Sequence, residues 1–142
     1  MTDTLFPRTT DKNVLEEGEV LAPRFGENGL ITAVAVDADT SGVLMVAHMN
    51  AEALAKTLET GQAWYWSRSR GALWLKGETS GQVQRVEEML VDCDQDAIIL
   101  RVRVGGDGGC CHTGRRSCFY RRVVPQTEGG ARLVMTDQRP AG

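Results

Sequence analysis

Residues 91–120, VDCDQDAIILRVRVGGDGGCCHTGRRSCFY, hold all four cysteines of the chain and three aspartates at alternate positions. Thiolates are soft ligands suited to zinc. A structural zinc site closes with four protein ligands, whereas a catalytic one uses three and leaves the fourth corner to water. Cys110 and Cys111 are adjacent, so a single tetrahedral ion does not readily take both, and three usable thiolates remain among Cys93, Cys110, Cys111 and Cys118. No C-x-x-C pair is present, and spacing alone leaves buried, inert thiols as the alternative. His112 follows Cys111 directly; beside an open zinc site it would move protons between water and a reacting ring, and a zinc ligand or a hydrogen-bonded structural histidine are its other readings. His48 ends an apolar run and reads as packing.

Asp92, Asp94 and Asp96 form the second group. In an extended segment alternate residues project on the same side, which puts the three carboxylates on one face and Cys93 and Gln95 on the other. Mg²⁺ would relieve their mutual repulsion, since a hard cation prefers oxygen ligands; a solvated acidic turn is the bland alternative. Cys93 sets a soft ligand inside this hard cluster. The third group is basic and hydroxylated: Arg68, Arg70, Lys76, Glu78, Thr79 and Ser80 in SRSRGALWLKGETSGQ, with HTGRRSCFYRR further on. Guanidinium forks, hydroxyls and glycine-exposed amides hold phosphate. The pattern is not a Walker loop, and each arginine taken singly reads as a solvated charge.

The elements that must position these groups belong to one domain, the expectation for 142 residues. A hydrophobic content of 42% with 25% charged residues is that of a soluble globular protein. No apolar run has a membrane-spanning length, and the N-terminus lacks an apolar signal core, so no membrane partner and a cytoplasmic location are expected. Thiols stay reduced there. A net charge of −3 argues against a general nucleic-acid binder.

Along the chain, residues 1–22 show no clean periodicity and read as an extended or partly mobile arm. GLITAVAVDADTSGVLMVAHMN reads as two strands about a turn at Asp37 to Gly42. Asn50 is a good N-cap, Ala51, Leu54 and Leu58 recur at helical spacing, and Gly61 suits a left-handed helix end. AWYWSRSR, VQRVEEMLV, AIILRVRV and SCFYRRVV are strand candidates, the second and third meeting antiparallel around the acidic cluster. Residues 125–142 are polar and glycine-rich apart from LVM and read as a loosely held tail, leaving 23–124 as the domain. The fold class expected is mainly β (α+β) with a single clear helix.

With these residues assembled, LMVAHMNAEAL, YWSRSRGALWLKGETSGQVQ, VDCDQDA and CHTGRRSCFYR stand in the order found in the phosphoribosyl-AMP cyclohydrolase family, and the chain resembles that family from Pro23 to Arg122. The resemblance implies zinc-dependent hydrolytic opening of the C6–N1 bond of phosphoribosyl-AMP, in the third step of histidine biosynthesis. It implies one catalytic zinc per subunit on Cys93, Cys111 and Cys118, and Mg²⁺ on Asp92, Asp94 and Asp96. It also implies an intertwined homodimer with the zinc site at the subunit interface, and a small antiparallel pseudobarrel-like sheet capped by a helix. His112 becomes the candidate proton shuttle, and Arg68, Arg70, Lys76, Glu78, Thr79 and Ser80 the candidate substrate contacts. Cys110 stands where the family pattern has alanine and Gly106 where glutamine is usual; neither removes a ligand. With about twenty residues after Arg122, the monofunctional form is expected. Two rivals remain. A zinc nucleobase deaminase would carry H-x-E and P-C-x-x-C, which are absent, and a zinc-stabilised binding module would use the metal only to fold.

Overall fold

The computed structural model describes residues 5–136. Its framework is a four-stranded sheet of order β2-β1-β6-β5, built from β1 (Ile31–Asp37), β2 (Val43–Met49), β5 (Gln84–Val91) and β6 (Ala97–Val104). The β1–β2 hairpin turns where the sequence predicts. The Asp37 carboxylate accepts from the Asp39 and Thr40 N–H groups at 2.8 and 3.0 Å, which closes the loop before Gly42.

Alternation along the strands sends Ile31, Ala33, Ala35, Met45, Met49, Ile98, Leu100 and Val102 to one face. Helix α2 (Ala51–Thr60) packs there through Ala53 and Leu54, with Tyr65 from the hairpin of β3 (Trp64–Ser67) and β4 (Ala72–Leu75). The caps of α2 are those expected: Asn50 accepts from the Ala53 N–H at 2.8 Å, and Gly61 is left-handed at φ 76°. The opposite face has a lateral apolar row, Val46–Val34–Ile99–Leu90 in direct register, of which Val46, Ile99 and Leu90 are exposed.

The structure corrects four readings. The sheet is mixed rather than wholly antiparallel, because β1 runs parallel to β6; that pairing needs a long connection through β2, α2, β3, β4 and β5, which no local pattern reports. The arm carries a short helix, α1 (Lys12–Glu17), capped by Asp11 and pinned by the buried Leu15, so α2 is not the sole helix. The tail is not wholly loose: β8 (Arg132–Met135) pairs antiparallel with β7 (Arg121–Val124). Strand β4 also went unread, its four residues being too short to show a period. The ends of the arm and the tail, residues 1–4 and 137–142, lie outside the described residues.

Candidate active site

Cys111 and Cys118 sit on one irregular loop between β6 and β7, tied at both ends. At its far end, Cys118 N–H donates to the Leu44 carbonyl of β2 at 2.7 Å and Ser117 Oγ to that of Val43 at 2.8 Å. At its near end, the Cys110 and Cys111 N–H groups both donate to the Arg115 carbonyl at 3.0 Å. The Arg115 guanidinium in turn stacks 4.1 Å from the centre of the Tyr120 ring. Folding the loop on itself brings the two thiols close enough to influence each other's ionisation. Partial burial opposes ionisation of Cys111, but hydrogen bonds from Thr113, the Cys118 thiol and the Lys76 charge hold its thiol below the usual range. Burial of its sulfur and then the neighbouring Cys111 and Cys110 push Cys118 up. A soft cation entering between the two sulfurs would displace their protons.

Thr113 Oγ1 donates to Cys111 Sγ at 3.2 Å, and His112 Nδ1 lies 3.9 Å from the same sulfur. The His112 side chain is exposed beside the pair. Cys110 is different in kind. It is 2% exposed, its Sγ accepts from Gln84 Nε2 at 3.2 Å, and burial raises its thiol, so its sulfur belongs to the core.

The acidic cluster occupies the turn between β5 and β6. Its carboxylates converge for a reason other than strand alternation: Gln95 is left-handed at φ 58°, and Asp92 accepts from the N–H groups of Asp96 and Ala97 at 2.9 and 3.2 Å. This tight turn brings one oxygen each of Asp92, Asp94 and Asp96 within 4.8 Å of one another, and Asp94 Oδ1 is buried without a hydrogen-bond partner among the described residues. Side-chain hydrogen bonds with Asp94 and then Asp92 raise the Asp96 carboxyl to about 6. Below about that pH the group holds a proton that a divalent cation would replace, and the orphaned oxygen together with the all-carboxylate set fits Mg²⁺.

Gln95 faces inward from this turn. Its side chain accepts from the Ala22 N–H at 2.8 Å and donates to the carbonyls of Leu15 at 3.1 Å and Val20 at 3.3 Å, binding the arm to the acidic turn.

The basic and hydroxylated residues fall in two places. Arg68 and Arg70 are exposed in the β3–β4 turn, where Arg70 Nε donates to Ser67 Oγ at 3.4 Å and its guanidinium lies over Trp74. Glu78, Thr79 and Ser80 are exposed at the other end of β4, in a turn beside the glycine-rich loop that leads to Cys110; Gln82 Nε2 bridges the two by donating to Asp107 at 2.6 Å. Lys76 is not at the surface. It is 8% exposed and donates to the Cys110 carbonyl at 2.7 Å. Tyr65 and Gln84, joined at 2.6 Å, were not singled out by sequence reasoning; a glutamine at an inward strand position was the available signal.

The two halves of the predicted metal chemistry lie at opposite ends of the β5–β6 hairpin. Cys110 and Cys111 adjoin Gln84 at the start of β5, while Cys93 follows Val91 at its end. Seven strand intervals of ~3.3 Å separate them by roughly 23 Å. Among the described residues, the aspartate turn is the group of three or more potential ligands that converges within one chain.

The profile of the phosphoribosyl-AMP cyclohydrolase family matches residues 45–120. Phosphoribosyl-AMP cyclohydrolase of Chelativorans sp. (strain BNC1) is 68% identical over 131 residues, 92% of each chain. That of Brucella anthropi is 63% identical over 87% of this chain and 88% of its own, and that of Mesorhizobium japonicum 60% identical over 95% and 88%. These similarities define a hydrolase of histidine biosynthesis, one that acts on a small nucleotide. The chain belongs to the phosphoribosyl-AMP cyclohydrolase family, and the reaction is hydrolytic opening of the adenine ring of phosphoribosyl-AMP.

Proposed function

We propose that this reaction takes place at a site completed by two copies of the chain, with zinc on Cys111 and Cys118 of one and Cys93 of the other, and Mg²⁺ on Asp92, Asp94 and Asp96. The observation that carries this reading is the separation of Cys93 from a thiol pair that is otherwise assembled. The exposed apolar row Val46–Val34–Ile99–Leu90 supports a second copy as the partner, since a hydrophobic sheet face covered by its own equivalent gives a closed dimer. The intertwined form and the pseudobarrel belong to the same proposal.

Zinc held by three thiolates would supply the Lewis acid that makes water nucleophilic near neutral pH. The chain's own residues do the rest. His112, exposed beside the thiol pair, takes a proton from the attacking water and returns it to N1 as the C6–N1 bond breaks. Arg68 and Arg70 meet the anionic groups of the substrate, and Glu78, Thr79 and Ser80 line the turn nearest the thiol loop. The chain is net acidic and the substrate doubly phosphorylated; Asp92, Asp94 and Asp96 would hold Mg²⁺, which would supply positive charge for phosphate. The location is cytoplasmic on this reading.

Purified protein incubated with phosphoribosyl-AMP, with and without a zinc chelator, tests it. Ring-opened imidazole carboxamide forms, its formation stops on chelation, and added zinc restores it. A rate indifferent to chelation contradicts the zinc assignment, and ammonia release without ring opening would mark a deaminase.

A further inference from the structure

Beneath the thiol pair lies a buried polar chain that the reaction itself does not call for. Tyr65, 0% exposed, donates to Gln84 Oε1 at 2.6 Å; Gln84, also 0% exposed, donates through Nε2 to Cys110 Sγ at 3.2 Å and to Met45 Sδ at 3.3 Å. Lys76 reaches the same residue, donating to the Cys110 carbonyl at 2.7 Å with Nζ 5.6 Å from the Trp74 ring centre. Burying an ammonium group is costly unless its donors are used, and among the described residues Nζ donates to a backbone oxygen one residue before a proposed metal ligand.

We propose that Lys76 and Gln84 are positioning residues for the metal site: together they clamp Cys110 by its carbonyl and its sulfur, so that Cys111 is held facing Cys118 before any metal arrives. The proposal rests on reading Cys111 and Cys118 as zinc ligands and deepens it. The loop's far end is independently fixed on β2 through Cys118 N–H and Ser117 Oγ. Only the near end needs a separate anchor, and its N–H groups are spent within the loop on the Arg115 carbonyl. The carbonyl and side chain of Cys110 are what remain to hold it, and Lys76 and Gln84 take one each. Lys76 thereby acts on metal binding rather than as a direct phosphate contact.

The test is zinc affinity, by competition with a chromophoric chelator on the full-length protein, in wild type, Lys76→Met and Gln84→Met, with thermal unfolding and KM measured at saturating zinc. Removing an outer partner of a ligand set weakens metal binding by about tenfold or more. Both variants are expected to show that loss, with KM for phosphoribosyl-AMP within about twofold of wild type. Should Lys76→Met not fold, Gln84→Met carries the same readout at nearly constant volume. Unchanged zinc affinity with a raised KM would make Lys76 a phosphate contact and overturn the proposal, as would zinc affinity unchanged in Gln84→Met. A wild-type protein that takes up no zinc would instead overturn the ligand reading beneath it.

Discussion

His112 stands exposed, outside the core, with Nδ1 3.9 Å from the sulfur of Cys111. His112→Ala is expected to lower kcat by about 10²- to 10⁴-fold while zinc content stays near normal. Loss of zinc in that variant would make the residue a ligand. The acidic turn gives a prediction with a sign. Asp96 is raised to about 6 by its neighbours, so in cation-free protein its ionisation weakens the fold as pH rises through that value, and a divalent cation restores what is lost. Magnesium uptake should therefore release a proton at pH 5.5 to 6 and almost none at pH 8, as read by calorimetry in buffers of different ionisation enthalpy. Asp94→Asn should weaken magnesium binding, and an unchanged titration would remove the cluster's assignment. At this scale the sequence was informative about residue type and poor about cause. The spacing of Asp92, Asp94 and Asp96 suggested a shared strand face, whereas a left-handed Gln95 and an Asp92 cap bring the oxygens together, and neither is visible in an alternation pattern.

Among the elements, the turn after β4 places Lys76 at the thiol loop, and it depends on one glycine. Gly77 has φ 88°, and a Cβ there would stand 2.2 Å from the carbonyl carbon of Gln82 and from the Val83 nitrogen. Gly77→Ala is expected to cost at least about 3 kcal/mol in urea unfolding, from left-handed strain plus backbone displacement. A loss under about 1 kcal/mol would mean the turn opens freely. The first hairpin, α2 with both its caps, and the β5–β6 pair were legible because each is closed by local signals: an Asx turn, an N-cap, a glycine end and strand alternation. The parallel β1–β6 pairing was not, since it joins strands far apart in sequence. Nor were the anchors of the thiol loop on β2, because the Val43 and Leu44 carbonyls carry no side-chain signature. Helix α1 escaped for its shortness: six residues give less than two turns of period.

For the molecule as a whole, on the proposed reading the two ends of the β5–β6 hairpin carry complementary halves of one metal site, and the outer sheet face between them bears the apolar row of Val46, Val34, Ile99 and Leu90. Ile99→Arg sets a charge on that face without touching the core beneath it, and is expected to turn a dimer into monomer by sedimentation while near-native circular dichroism persists. A dimer of unchanged stability would place the interface elsewhere. The shared site itself is tested most directly by mixing two inactive proteins, Cys93→Ser and Cys111→Ser, unfolding them together and refolding. Half of the random dimers then pair one of each, and each mixed dimer has one intact cysteine set of two, so activity and bound zinc should return to about a quarter of wild type. If the mixture stays as inactive as its parents while wild type recovers under the same treatment, the zinc site is not shared between subunits.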